Sequence, residues 1–333
     1  MENLSSQLTN VSTVAILGHV RPDGDCVGSC LATWNYITTW YPGIRADVYL
    51  EPIPNIFRFL KGAEQIHNSC DSHRVYDLCI VQDCSDTGRL GASVKYFQTA
   101  KHTVCIDHHV SNGSFAEENY VFPKVSSTSE LIYDLIGEEK LTKEIAECIY
   151  VGMVHDTGVF QYNSTTAKTM NIAGKLMEKG IDFTKIVDET FYTKTYNQNR
   201  IMGKVLMESR LHLNGACITG VVTLSDMKNF DVQPKHLDGI VNQLRVTKDV
   251  EAAVFLYELE EGKYKISMRS NGKVNVAQIA MAFGGGGHIM AAGADMAGTP
   301  EEIIEKICKE VKKQLPEVEK TTADGQPQME AEA

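Results

Sequence analysis

The sequence predicts an α/β protein. An N-terminal domain with a mainly parallel sheet flanked by helices is followed, across a cleft, by a smaller mixed α+β domain. Three observations predict this. Short, fully apolar, β-branched-rich runs alternate with helix-periodic segments in the first half. Those runs end abruptly in polar and charged residues, as strands do at the carboxyl edge of an open α/β sheet. After about residue 210 the strand-like runs lengthen and their helical partners thin out.

In chain order, Val14-Ala15-Ile16-Leu17 reads as a strand ending in Gly18-His19 and followed by Arg21-Pro22-Asp23-Gly24-Asp25. Val27, Cys30, Leu31 and Trp34 recur at helical spacing, so a helix begins near Asp25. A strand is expected around Asp47-Val48-Tyr49-Leu50. Another, Leu78-Cys79-Ile80-Val81, ends in Gln82-Asp83-Cys84-Ser85-Asp86. Thr103-Val104-Cys105-Ile106 runs into Asp107-His108-His109. Ser127-Thr128-Ser129-Glu130 reads as a capping box. A helix is expected over Lys143 to Val154, followed by His155-Asp156-Thr157-Gly158. This alternation implies βαβ units.

The domain organisation expected is a first domain over 1–189, a helical interdomain linker over 190–210 and a second domain over 211–315. An acidic, disordered tail is expected over 316–333. In the second domain, strands are expected over Cys217 to Leu224, Ala252 to Leu259 and Tyr264 to Arg269, together with the stretch Phe283-Gly284-Gly285-Gly286-Gly287-His288.

Composition excludes several classes. A net charge of −11 over 333 residues argues against long duplex nucleic acid held on a basic surface, but not against a small phosphorylated ligand in a local pocket. No apolar stretch approaches the roughly 20 residues a membrane span requires, and no secretory signal is visible. Nine scattered cysteines without a C-x-x-C pattern point to a reducing, cytoplasmic setting.

Three strand ends carry the same residue types, and parallel neighbours bring such ends together. A cluster of carboxylates at that distance repels itself strongly, so cations must neutralise it. Taken singly, an Asp-Gly-Asp after a strand is a turn or an N-cap; the repetition within one domain is what marks a site. His19, Asp23, Asp25, Asp83, His108 and Asp156 make a carboxylate and imidazole set large enough for two metals sharing one carboxylate. Ligands without thiolate suit Mn²⁺ or Mg²⁺, with Fe²⁺, Co²⁺ or Zn²⁺ also compatible. Two such ions about 3.5–4 Å apart clamp a phosphoryl group for in-line attack by a water deprotonated near neutral pH. His155, next to Asp156, is expected to support the ligands from behind or to be structural, rather than to bind a metal. Gly-rich backbone beside His288, with Arg269 in the same domain, suits a phosphate.

On these residues the chain resembles the DHH family of phosphoesterases, with a DHH-associated C-terminal domain. The segments carrying the resemblance are GHVRPDGDCVGS, VQDCSDTGRLG, IDHHVSN, GMVHDTGVFQY and MRSNGKVNVAQIAMAFGGGGHIMAAG. The layout is most similar to the stand-alone, NrnA-like members. These degrade very short oligonucleotides and dephosphorylate 3′-phosphoadenosine 5′-phosphate; some relatives hydrolyse linear or cyclic di-adenylates. The resemblance implies a Mn²⁺ at His19, Asp23 and Asp83, and a second at Asp25, Asp83, His108 and Asp156. It implies that His109 faces the scissile phosphate, and that Asp107 orients the imidazoles. Arg269, Gly286, Gly287 and His288 would hold the distal end of a small nucleotide, with Ser85, Asp86 and Arg89 in support and a homodimer as a compatible assembly. Cyclic di-AMP hydrolysis, inorganic pyrophosphatase or exopolyphosphatase activity, and a catalytically inactive nucleotide sensor are the alternatives.

Overall fold

The computed structural model describes residues 3–315; the acidic tail expected beyond them lies outside the described residues. The chain divides into two compact units between Thr193 and Lys194.

The first unit is built on strands β1 (Thr13–Leu17), β2 (Arg45–Tyr49), β3 (Leu78–Gln82), β4 (His102–Asp107) and β5 (Glu118–Val121). Their order is β2-β1-β3-β4-β5, with every pairing parallel. The strands are apolar on both sides because both faces are covered. Val14, Ile16, Ile80, Val104 and Ile106 share a core with helices α1 (Gly24–Trp40), α3 (Thr128–Ile136), α4 (Lys143–Asp156) and α5 (Ala167–Glu178). Ala15, Leu17, Cys79 and Val81 face the other way, toward Leu90 and toward Tyr96 of α2 (Val94–Thr99). Strand order reverses between β1 and β3, and in open α/β sheets the crevice at such a reversal opens at the carboxyl ends. His19 follows β1, and Asp83 follows β3.

Two local expectations change. The helix expected to stop at Val154 continues to Asp156, so that acid sits in its last turn rather than in a loop. Ser127 does cap α3, accepting from Glu130 N at 3.1 Å. The Glu130 carboxylate, however, does not return to the cap. It is buried and accepts from the hydroxyls of Ser126 (2.5 Å) and Thr169 (2.8 Å), because a buried charge must take the donors that reach it.

In the second unit, α6 (Tyr196–Glu208) opens with a capping box of Thr195 and Gln198. The remaining strands are β6 (Arg210–His212), β7 (Cys217–Val222), β8 (Ala252–Glu260), β9 (Lys263–Ser270), β10 (Gly286–His288) and β11 (Ala291–Ala297). They form a mixed sheet, β10-β11-β9-β8-β7-β6, in which β7 and β8 run parallel and the other pairs antiparallel. One face carries Ile201 and Val205 of α6 with Ile240, Val241 and Leu244 of α7 (Ile240–Arg245). The other carries α8 (Val276–Ala282) and α9 (Pro300–Gln314). No helix among the described residues is long and apolar enough to cross a membrane.

Candidate metal centre

The site is assembled from β1, β3 and β4 and from the ends of three helices. The His19 ring lies with Nδ1 2.8 Å from the Val20 carbonyl, so Nδ1 donates there and Nε2 is the nitrogen turned to the carboxylates. That Nε2 faces Asp83 Oδ2 at 3.5 Å and Asp23 Oδ2 at 3.7 Å. Asp23 uses its other oxygen as the N-cap of α1, accepting from Asp25 N and Cys26 N at 3.1 Å each. The cap reading and the ligand reading of the Asp-Gly-Asp stretch are therefore compatible.

Asp83 sits in the left-handed region, at φ +53°. Strained backbone of this kind concentrates at functional sites. Its Oδ1 faces His108 Nε2 and His109 Nδ1, each at 3.7 Å, and accepts the Thr128 hydroxyl at 3.2 Å. His108 Nε2 is 3.0 Å from Asp156 Oδ2. Asp25 is fully buried, and the N-terminus of α3 holds it: Thr128 N donates to Oδ2 at 2.7 Å, and Ser129 N to Oδ1 at 2.9 Å. Bare N–H groups at a helix start favour an anion there. The six predicted ligands are thus brought together, with donor atoms of Asp25, His108 and Asp156 within 4.8 Å of one another.

The charges are badly balanced without a cation. Burial, with the Asp83 charge, pushes Asp25 up to about 7. Burial and the neighbouring carboxylates push Asp156 to about 6 and raise Asp83. Burial alone would lower the two imidazoles, but the facing carboxylates outweigh it. His108 rises to about 10, and His19 is carried far above its usual range. Asp23 moves down to about 2 because His19 outweighs its burial. Protons occupy the place of positive charge that divalent cations would take on binding. Four carboxylates and two imidazole nitrogens fit oxygen- and nitrogen-seeking divalent ions. Cys26 also lies in this cluster, beside His19 and Asp83, but burial pushes its thiol well up, which keeps it from acting as a thiolate.

Asp107 lies behind the cluster, fully buried. Its Oδ1 accepts from His108 N (2.8 Å) and faces His109 Nδ1 (2.7 Å), while Oδ2 accepts from Asn112 Nδ2 (2.7 Å). Burial would raise this acid, but the His109 and Asn112 hydrogen bonds outweigh it and hold it low. Asp107 in turn raises His109. Ser85 and Asp86 are hydrogen-bonded to each other (3.3 Å), and Asp86 caps the next turn by accepting from Arg89 N. Arg89 reaches the site loop through its backbone, its carbonyl accepting from Val20 N at 2.8 Å. His155 Nε2 donates to Thr190 Oγ1 at 3.0 Å, because the Thr190 hydrogen goes to the Ile186 carbonyl at 2.7 Å.

In the second unit, the register places Arg269 opposite Ala291 and Ala291 opposite His288. Directly opposed residues share a face, so Arg269 and His288 flank a small alanine on one side of the sheet. Arg269 Nε donates to Asn242 Oδ1 at 3.1 Å. The glycine stretch, expected as tight Gly-rich backbone with no strand assigned to it, ends as edge strand β10. The reason is steric: a Cβ at Gly287 would stand 2.5 Å from the Ala291 carbonyl oxygen, so only glycine lets the strands approach.

Sequence reasoning missed Thr128 and Ser129 as Asp25 donors, Asn112 as the second Asp107 donor, and Cys26. Thr128 and Ser129 were visible only as part of a helix start, and Asn112 only as a nearby polar residue.

The DHH family N-terminal domain matches residues 13–153, and the DHHA1 domain matches residues 215–317. The chain is 30% identical over 307 residues to the bifunctional oligoribonuclease and PAP phosphatase NrnA of Thermus thermophilus, covering 91% of this chain and 90% of that protein. It is 28% identical over 308 residues to the protein of the same name from Bacillus subtilis, covering 90% and 95%. Among solved structures, an exopolyphosphatase-related protein from Bacteroides fragilis superposes with a TM-score of 0.85 at 28% identity, covering 93% and 94%. With the motif residues gathered at one sheet edge and both family domains matched in order, the chain belongs to the DHH family and carries a DHHA1 domain.

Proposed function

We propose that this protein is a two-metal hydrolase of phosphate esters in small nucleotides. It converts short oligoribonucleotides to mononucleotides, 3′-phosphoadenosine 5′-phosphate to AMP, or both, with Mn²⁺ as the working ion. The observation that carries this reading is the Asp83 carboxylate. One oxygen faces His19 and the other faces His108, an arrangement that suits a carboxylate shared between two ions. The names of the Thermus and Bacillus relatives support the substrate class. The nine free thiols support a reducing, cytoplasmic setting.

His19, Asp23 and Asp83 would hold one ion, and Asp25, Asp83, His108 and Asp156 the other. Bound there, the pair would polarise phosphoryl oxygens and supply an activated water at neutral pH. His109, steadied through Nδ1 by Asp107, has Nε2 to donate to a phosphoryl oxygen as charge develops. Arg269 and His288 would grip phosphate or base across the Ala291 floor, with Gly286 and Gly287 letting the backbone come close.

A turnover panel tests the reading: 3′-phosphoadenosine 5′-phosphate, 5′-phosphorylated di-adenylate, a short RNA, cyclic di-adenylate and pyrophosphate, each with Mn²⁺. Turnover of the first three is expected. Preference for pyrophosphate overturns the substrate assignment. Asp83→Ala, reconstituted with Mn²⁺, should bind less than one ion per chain and show no turnover; substantial activity overturns the shared-ligand arrangement.

A further inference from the structure

Cys217 of β7 and Cys308 of α9 bring their sulfurs to 4.0 Å, although 91 residues separate them. Cys217 is fully buried, whereas Cys308 is half-buried and lines a cavity of about 810 Å³ within the second unit. Arg210, His212, Thr219 and Glu305 line the same cavity. Its volume falls in the range that accepts small molecules, roughly 300–1,000 Å³. Cys26 and Cys30 in the first unit are also near one another, one helical turn apart, but both are fully buried. The Cys217–Cys308 pair therefore combines two properties: neighbouring sulfurs, and one sulfur that a small reagent reaches.

We propose that Cys217 and Cys308 form a reactive dithiol, a modification site that takes a low-molecular-weight disulfide through this cavity and closes to an intramolecular disulfide. The chemistry is two successive exchanges. The Cys308 thiolate attacks one sulfur of the incoming disulfide; a protein–small-thiol mixed disulfide forms and one small thiolate leaves. Cys217 then gives up its proton and attacks the Cys308 sulfur, displacing the second small thiolate. Two protein thiols lose two electrons and two protons, and the small disulfide becomes two thiols. A disulfide needs sulfurs about 2.05 Å apart, so the pair must close by roughly 2 Å, within reach of side-chain rotation on a helix face that borders a cavity.

The order of attack follows from position. Only Cys308 faces the cavity, so it meets the reagent first, and Cys217 resolves. The acid–base character of the pair agrees. Cys217 as a hydrogen-bond donor holds the Cys308 thiol below its ordinary range, while the bond to Cys308 and burial push Cys217 up. In a reducing compartment such a bridge is transient and reports the thiol balance rather than holding the fold.

The test is incubation of the full chain, in its metal-loaded form, with oxidised glutathione, followed by intact-mass measurement and peptide mapping. The expected product has lost two hydrogens, links the Cys217 and Cys308 peptides, and reverts with dithiothreitol. Cys217→Ser should trap one glutathione on Cys308, and Cys308→Ser should leave Cys217 unmodified. Wild-type protein that accumulates glutathione on Cys308 without ring closure overturns the proposal, as does failure of both residues to react. The wild-type mapping needs no variant, so a poorly folding substitution does not protect the proposal.

Discussion

His109 Nδ1 lies 2.7 Å from Asp107 Oδ1, and the acid is fully buried while the imidazole remains partly open. A buried carboxylate behind a partly open imidazole takes the Nδ1 hydrogen, favours the doubly protonated ring and sets where Nε2 points. The two ends of the triplet are therefore placed differently: Asp107 sits behind, and the His109 ring opens outward.

Asp107→Asn removes the charge but keeps the shape and the acceptor for His108 N. Turnover is expected to fall about 10–100-fold, with little change in KM and both metals retained. Steady-state kinetics beside metal analysis checks this; loss of metal would mean that Asp107 holds the ligands rather than orienting His109.

Chelator-treated protein should lose stability as pH rises. Asp25 and Asp156 titrate in the folded chain at about 7 and 6, well above ordinary carboxylates, and His108 at about 10, above an ordinary imidazole. Between the unfolded and folded values the native state binds more protons than the unfolded one, so stability falls with rising pH. The window runs from about pH 4 to 7 for the acids and from about 6.5 to 10 for the imidazole. Bound cations displace those protons, so the Tm gap between Mn²⁺-loaded and metal-free protein should widen from pH 6 to pH 8. Thermal melts at the two pH values decide it; a constant or narrowing gap contradicts the sign.

A methyl group at Gly152 would stand 2.6 Å from Asp25 Oδ1 and closer still to Ser129 Oγ. Gly152→Ala should cost about 1–3 kcal/mol of stability through overpacking. On the proposed two-metal reading it should also weaken binding of the ion that Asp25 would help hold, seen as a higher Mn²⁺ requirement for turnover. An unchanged Mn²⁺ requirement in a folded variant would show that α4 yields at this point.

His288→Ala and Arg269→Ala should each raise KM roughly 10-fold or more for a nucleotide substrate, the scale of a lost charge-assisted hydrogen bond. Metal content should stay at the wild-type level. Kinetics and metal analysis on the same preparations test both variants, and loss of metal in either would mean that its role in the second unit has been misread.

Much of the site was legible before any fold was known, because its ligands follow short apolar runs. His19 follows Leu17 by two residues, Asp83 follows Gln82, and His108 follows Asp107, so strand direction alone delivers them to one edge. Asp156 was legible as a residue type, but its place was shifted, since the helix carries two residues further than its apolar pattern. The glycine stretch was legible as tight backbone, but not as a strand.

What the sequence by itself determined was the layer plan, the residue types at the carboxyl edge and the total charge that edge must neutralise. All three follow from period, polarity and Coulomb repulsion among neighbours a few positions apart. The tertiary structure alone decided who satisfies whom. Thr128 and Ser129 reach Asp25 across more than 100 residues, the close approach at Gly152 lets them do so, and Asp83 turns one oxygen to each side. A hydrogen bond depends on ångström-scale position and direction, and those come from how helices pack on the sheet, which no local pattern encodes.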